Sequence, residues 1–223
     1  MLKYLSPLIE KSVRRTYAPG STIYYQGEVP RSACIIIKGI VRVFSISPQG
    51  DEQVVTYHDG GEFVPTSWIF GKTAGSLFFY EAVGKCEVAF VPRDKFLAFF
   101  REKPERMEKL MTYFATTYTS SLIRISALEQ AKAREKLLYT LYYLCQRHGI
   151  PGKESPIINI KLSLTHQALA SLIGLTRETT ATEMNKLKKE KILRYKNQQY
   201  SINREKLLGL MGEESFRDIS SLA

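Results

Sequence analysis

The chain has little with which to do covalent or redox chemistry. Its 223 residues include three cysteines, three histidines and one tryptophan. Cys34, Cys86 and Cys145 lie far apart and form neither a CxxC pair nor a metal-ligand spacing, so they read as reduced, buried thiols of a cytoplasmic protein. An iron–sulfur centre needs four ligands, most of them clustered, and that set is missing. His58 and His148 stand singly and read as plain surface or core side chains rather than haem ligands. There is no glycine-rich phosphate loop, no paired-histidine site and no GxSxG. The chain is therefore read as a non-enzyme with no metal and no resident cofactor, leaving only an unidentified small-molecule effector open. No apolar run approaches the roughly 18–20 residues of a membrane span. The N-terminal "MLKYLSPLIEKSVRR" lacks the basic, apolar, small-residue order of a signal peptide. No membrane partner is expected.

What is present is positive charge, a net +10. Residues 131–223 hold 16 basic and 9 acidic side chains, and so most of the excess. A concentrated basic balance points to a polyanionic partner.

Residues from about 17 to 92 carry short Val/Ile/Tyr/Phe runs cut by glycine turns every 7 to 12 residues. That spacing suits a barrel, roll or sandwich of short antiparallel strands. "SPQGDE" reads as a hairpin turn and "CEVAFV" as the closing strand. From Pro104 to about Ala131 the pattern becomes helical. Met111, Phe114, Tyr118, Ser121, Ile125 and Leu128 recur at alternating spacings of three and four, a seam of period near 3.5. The seam reads as a dimer interface, because so long a helix has little room to bury its stripe in a small β domain. The alternative is a helix packed on its own domain. The expected division is 1–103, a β sensor domain; 104–130, a dimerisation helix and hinge; and 131–223, a third segment.

That segment opens with a helix, "AREKLLYTLYYLCQRHG", with Gly149 as a plausible C-cap. A loop "IPGKESP" and a strand "IINIKL" follow. "LTHQALASLIGLTRETTATEMNKL" then holds two helical patterns joined through Gly174. Thr165 can cap the first, and Thr176 the second, over 176–191. Leu169, Leu172, Ile173, Met184 and Leu187 supply the shared apolar face. "KILRYKNQQYSI" reads as a small hairpin carrying Arg194 and Lys196. Strand, helix, turn, helix and basic hairpin make a winged helix-turn-helix. Its second helix begins with Arg-Glu-Thr-Thr-Ala-Thr because short polar side chains, with an arginine able to fork onto a guanine, suit a DNA major groove. His166, on the first helix, reads as surface or DNA-facing.

"IKLSLTHQALASLIGLTRETT" resembles the DNA-binding region of the Crp–Fnr family of bacterial transcription regulators. "GSTIYYQGEVPRSACIIIKGIVRVF…GDEQVVTYHDGGEF" is similar to that family's cyclic-nucleotide-binding-type β-roll, and the long helix to its dimerisation helix. The resemblance implies an α+β protein: an N-terminal antiparallel β-roll, a long dimerisation helix and a C-terminal winged helix-turn-helix. It implies a homodimer on a palindromic double-stranded DNA operator, modulated by a signal in the β-roll, with RNA polymerase as a further partner. Thr176, Arg177, Glu178 and Thr179 match the start of the family's recognition helix, with Arg177 and Glu178 at base-reading positions. Thr165 and Gln167 match phosphate-contacting positions. The cyclic-AMP member's second arginine, five places after the first, is Thr182 here, which implies a different operator base.

The family's nucleotide pocket is altered. Pro65-Thr66 stand where its ribose-binding Gly-Glu would be, and Ser76-Leu77 where its phosphate-binding Arg-Ser would be. Thr119-Ser120 match the helix Thr-Ser. A cyclic phosphate without its arginine leaves a buried anion unpaired, so the expected signal is not cyclic AMP. The remaining candidates, Trp68, Leu77 and Phe78 with Thr66, Ser67, Thr119 and Ser120 for orientation, suit a small apolar or aromatic effector. The alternatives are control by abundance with no effector, and a cyclic-nucleotide response through a divergent pocket. Rivals from other classes are an enzyme, disfavoured above, and an architectural DNA-binding protein with little sequence preference.

Overall fold

The apolar run Ala33-Cys34-Ile35-Ile36 leaves no side for solvent. The computed structural model of the chain, which describes residues 1–152 and 156–212, covers it on both faces. The elements of the first part run α1 (Leu2–Glu10), β1 (Val13–Tyr17), β2 (Thr22–Tyr24), β3 (Ser32–Lys38), β4 (Val41–Ile46), β5 (Glu52–His58), β6 (Phe63–Val64), α2 (Thr66–Ile69), β7 (Phe79–Ala82), β8 (Cys86–Pro92) and α3 (Arg93–Arg101). The strands form two antiparallel sheets, β1-β8-β3-β6 and β2-β7-β4-β5. Alternation along β3 sends Cys34 and Ile36 into a core with Val41, Val43, Tyr80 and Val88. Ala33 and Ile35 go to the other face, against Leu5, Phe63, Phe96 and Phe100. A strand buried on both faces reads as a continuous apolar run.

This is the antiparallel β domain expected from the sequence, with additions. It begins at Val13 rather than near Tyr17, because the charged β1 lacks an apolar pattern but pairs fully with β8. The helices α1 and α3 were not anticipated. The spacing of Phe96, Phe99 and Phe100, all buried, could have disclosed α3. "SPQGDE" is the expected turn: β4 pairs with β5 from Ile46↔Glu52, with Gly50 at φ +90. All three cysteines are buried and free. Burial pushes the Cys86 thiol up to about 11 and Cys145 up to about 12, so both stay protonated and inert at neutral pH.

The long helix, α4, spans Pro104–Glu129. The chain divides into two compact units, Met1–Phe114 and Ala115–Ala223, whose boundary falls inside α4. Leu110 is buried in the first unit's helix-side core. Met111 and Tyr118 are each 66% exposed, Ile125 50% and Leu128 39%. Phe114, assigned to the same seam by spacing, instead packs partly into the first unit, 5.1 Å from the Phe70 ring and 6.5 Å from Phe63. Leu122, which the seam omitted, is exposed beside its other members.

The second unit continues with α5 (Ala133–His148), β9 (Gly149–Pro151), β10 (Ile157–Ile160), α6 (His166–Ile173), α7 (Arg177–Lys189), β11 (Leu193–Lys196), β12 (Gln199–Asn203) and α8 (Arg204–Met211). The expected loop between Ile150 and Pro156 lies partly outside the described residues, at 153–155. α5 is buried from Leu137 onward and packs against α6, α7, α8 and β10. Gly149 follows it but is not a left-handed cap: its φ of −82° and ψ of 143° are extended, and it opens β9. Glycine is required there for closeness, since a Cβ would sit 2.1 Å from the Cys145 carbonyl oxygen. The unit's antiparallel sheet runs β11-β12-β10-β9. Among the described residues no helix is long and apolar enough to cross a membrane.

Candidate nucleic-acid interface

Two threonines and a glycine set the geometry of α6 and α7. The Thr165 side chain accepts the Ala168 amide at 3.0 Å, capping α6. Gly174 ends it in the left-handed region at φ +72, and the Gly174 and Leu175 amides both donate to the Ala170 carbonyl, at 2.9 and 3.1 Å. Thr176 then caps α7 by accepting the Thr179 amide at 3.2 Å. These are the caps and the stop expected from sequence. Leu169, Leu172, Ile173, Met184 and Leu187 are fully buried and hold the pair together.

The polar start of α7 divides between inside and outside. Thr180 is buried and its hydroxyl donates to the Thr176 carbonyl at 2.9 Å. Arg177, Glu178 and Thr182 are exposed. So are Asn185 and Lys189, which with Glu178 and Thr182 complete one stripe at helical spacing. The sequence reading stopped at Thr182; extending its own spacing by three and four would have reached them. Lys186, Lys188 and Lys189 lie in the last turn, where positive charge complements the helix dipole.

The hairpin β11–β12 turns through Asn197 and Gln198, both at positive φ (50° and 62°), the signature of a two-residue type I′ loop. Arg194 and Lys196 are exposed on β11, while Leu193 is buried. The loop is fastened to the start of α6: the Leu164 amide donates to the Gln198 carbonyl at 3.1 Å, and Gln199 hydrogen-bonds Ser163. Tyr195 lies between the two helices' ends, 4.8 Å from the His166 ring and 5.0 Å from the Lys188 ammonium. Thr165 and Gln167 are exposed near this junction. One unit thus brings together Thr165, Gln167, Thr176, Arg177, Glu178, Thr179, Thr182, Arg194 and Lys196, all from neighbouring helix starts and one hairpin.

From α4, the buried Arg124 guanidinium donates to the Leu172 carbonyl in the last turn of α6 and lies 5.8 Å from the Tyr143 ring. Sequence reasoning missed it, because an arginine in a helix normally reads as solvent-facing. The ion pair Arg134–Glu190, at 2.7 Å, joins the start of α5 to the end of α7.

The effector candidates of the first unit do not share one core. Trp68 is buried in the helix-side core of the first unit, whereas Phe78 packs against the core between the sheets. Leu77 is half exposed. The Thr66 hydroxyl donates to the Phe63 carbonyl, and Thr73 donates to the Ser67 hydroxyl. Thr119 and Ser120 belong to the second unit, with Ser120 buried. Trp68 and Phe78 were expected to grip one ligand together. They belong to different cores, which the sheet β1-β8-β3-β6 separates: its strands β3 and β8 send alternate residues to each. Of the apolar letters in "PTSWIF" and "SLFFY", Trp68, Ile69 and Tyr80 are core residues, Phe70 and Phe78 pack partly against the cores, and Leu77 is exposed.

Comparison with known proteins agrees with both halves. Residues 14–103 match the cyclic nucleotide-binding domain model, and residues 135–210 match the Crp-like helix-turn-helix domain model. The chain is 30% identical to the HTH-type transcriptional regulator ArcR of Staphylococcus haemolyticus, over 80% of this chain and 77% of that protein. It is 28% identical to the nitrogen fixation regulation protein FixK of Rhizobium meliloti, over 84% and 81%. Among solved structures, a CooA mutant from Carboxydothermus hydrogenoformans aligns at a TM-score of 0.76 over 94% of each chain, with 18% identity, a likeness of fold.

His166 gives the interface a pH signature. Burial, with Lys188 and Arg177 nearby, holds its imidazole below the ordinary 6.5. The unfolded chain therefore binds a proton more readily than the folded one in the window just below 6.5. Stability supplied by neutral His166 is present above that value and is lost as pH falls through the folded value. Thermal unfolding should show a loss between about pH 7 and about pH 5 that the His166→Gln variant lacks in part. An NMR titration placing the His166 midpoint above 6.5 would contradict this.

Proposed function

Because the chain belongs to the Crp–Fnr family of transcription regulators, and so is a DNA-binding regulator rather than an enzyme, we propose that it acts as a homodimer on a palindromic operator. The single observation that carries this reading is the exposed polar face of α7, opening at the capped Arg177 end and flanked by the basic hairpin. With the start of α7 in the major groove, Arg177 can donate two hydrogen bonds to a guanine edge and Glu178 can accept from a cytosine amino group. Thr182 and Asn185 face the same way, and neither can fork onto guanine as arginine does. Thr165, Gln167, Arg194 and Lys196 contact phosphates and set register without reading sequence. RNA polymerase is the further partner implied by the family resemblance.

Dimerisation is assigned to the exposed stripe of α4. Met111, Tyr118, Leu122, Ile125 and Leu128 are exposed large hydrophobics at helical spacing, and such a stripe suits a partner that covers it. Two copies pairing along it would present two α7 helices to half-sites about 34 Å apart. The signal in the β unit is read as something other than cyclic AMP. Ser76 is buried with its hydroxyl spent on the Phe78 carbonyl at 2.7 Å, and Leu77 stands half exposed, so no arginine meets a phosphate there. Regulation by abundance alone remains the second reading, favoured by the packed state of Trp68 and Phe78.

Three measurements test these statements. Arg177→Ala should cost about 1–3 kcal/mol on the operator and relax the choice of one base per half-site, whereas Lys196→Ala should weaken all DNA alike and flatten the salt dependence. Equal losses on operator and random DNA for Arg177→Ala would remove it as a base reader. Ile125→Asp should give a monomer that no longer holds the operator, and light scattering that still finds a dimer at micromolar concentration would exclude this stripe. Calorimetry with cyclic AMP at tens of micromolar should give no saturable isotherm; one site per subunit would restore the nucleotide-binding reading.

A further inference from the structure

The two sheets of the first unit part along one edge. There β1 ends one sheet and β2 ends the other, and a cleft of about 640 Å³ opens beside them. That volume lies within the range of small-molecule sites. Its buried wall is Ile23 and Tyr24, continuous with the core between the sheets, and the partly exposed Phe90 meets Tyr24 edge-on at 6.3 Å. The Tyr24 hydroxyl is spent on the Ser32 carbonyl at 2.7 Å, so it presents ring rather than polar surface. None of Thr66, Ser67, Leu77 and Phe78 lines this cleft.

Two arginines line it as well. Arg15, on β1, has its guanidinium 5.6 Å from the Phe90 ring centroid. Arg31 comes from the connection between β2 and β3. Among the described residues neither forms an ion pair, although Arg14 pairs with Glu87 and Arg42 with both Glu52 and Glu81. The acid that shares the cleft, Glu28, already accepts the Tyr25 amide at 3.0 Å. An adjoining depression shares Arg31 and Pro92 and adds Arg93 and Arg101 against one acid, Asp94, so an excess of positive charge extends past the mouth. Two guanidiniums with no ion pair among the described residues, Arg15 also hydrogen-bonded to the Tyr17 side chain, stand over an apolar, aromatic wall and suit one kind of occupant: an anionic head for the forks and a flat apolar body for the rings.

We propose that this cleft binds a small aromatic carboxylate or phosphate, with the anion held by Arg15 and Arg31 and the ring against Tyr24 and Phe90. The inference stands apart from the DNA-binding reading, since it concerns the first unit alone. Calorimetry on the full chain tests it with benzoate, phenylphosphate, inorganic phosphate and benzyl alcohol as probes. At least one of the two aryl anions should give a saturable isotherm with one site per chain, and which of them binds tighter identifies the head group. Inorganic phosphate and benzyl alcohol, each carrying half of the chemistry, should bind at least tenfold more weakly. Arg15→Gln and Arg31→Gln are exposed changes that should leave the melting temperature unchanged and each weaken the aryl anion at least tenfold. Unaltered binding in both variants would overturn the proposal. So would the absence of a saturable isotherm at millimolar probe, or binding of an acidic polyglutamate peptide there when the small anions do not bind.

Discussion

The turn at Gly174 is the constraint on which the DNA-facing unit depends. Between Ile173 and Arg177 one helix must stop and another must start, and the five apolar residues that join them are fully buried. The angle between α6 and α7 is therefore fixed by packing, and the backbone must reach it in three residues. Gly174 does so from the left-handed region, which costs other L-residues about 1–2 kcal/mol. The Ala170 carbonyl takes both the Gly174 and Leu175 amides, so the close of α6 leaves neither donor bare. Thr176 supplies the opposite service at the start of α7. With both ends satisfied internally, the outward side chains Arg177, Glu178 and Thr182 have no structural duty and are free to meet a partner.

Arg124 extends that rigid assembly to the long helix. A buried guanidinium is costly unless its charge and donors are met. Here the acceptor is a carbonyl of the last turn of α6, where the helix dipole favours a cation, and the Tyr143 ring lies nearby. The second half of α4 and the helix pair that presents Arg177 are thus tied by a charged contact with directional geometry. A sliding apolar contact between the same elements would hold position far less strictly. On the opposite side, Tyr195 sits against His166 and under Lys188, so the hairpin is fixed to both helices as well.

How much of this was legible in the sequence depended on whether the cause was local. Caps at Thr165 and Thr176, the stop at Gly174 and the hairpin around Asn197-Gln198 are decided by residues within one turn of each other, and each stands where the pattern put it. The strand β1 was hidden because Val13–Tyr17 gains its pairing from β8, more than 60 positions on, and not from its own composition. The effector residues misled for a related reason. Trp68 and Phe78 are both aromatic and near in sequence, but the sheet between them sends one to each core. Arg124 was invisible because its acceptor is a backbone carbonyl 48 positions away, and no side-chain pattern encodes that. Gly149 was noticed for the wrong property: its extended dihedrals need no glycine, but the approach of the Cys145 carbonyl does.

The long helix shows why period alone under-determines a seam. α4 has 26 residues and serves three surroundings at once. Leu110 faces the first unit's core, Ile123, Arg124 and Ala127 are buried further on, and Met111, Tyr118, Leu122, Ile125 and Leu128 remain exposed. A repeat of 3.5 drifts by about 20° per heptad against an ideal helix, so a stripe drawn from one end shifts its facing along the length. Phe114 lies where the helix still belongs to the first unit, and its ring is taken by Phe63 and Phe70. Leu122 lies where the outward face has rotated onto it. What distinguishes an exposed residue from a core residue on such a helix is whether a neighbour within its own unit reaches it, and the period of the helix does not encode that.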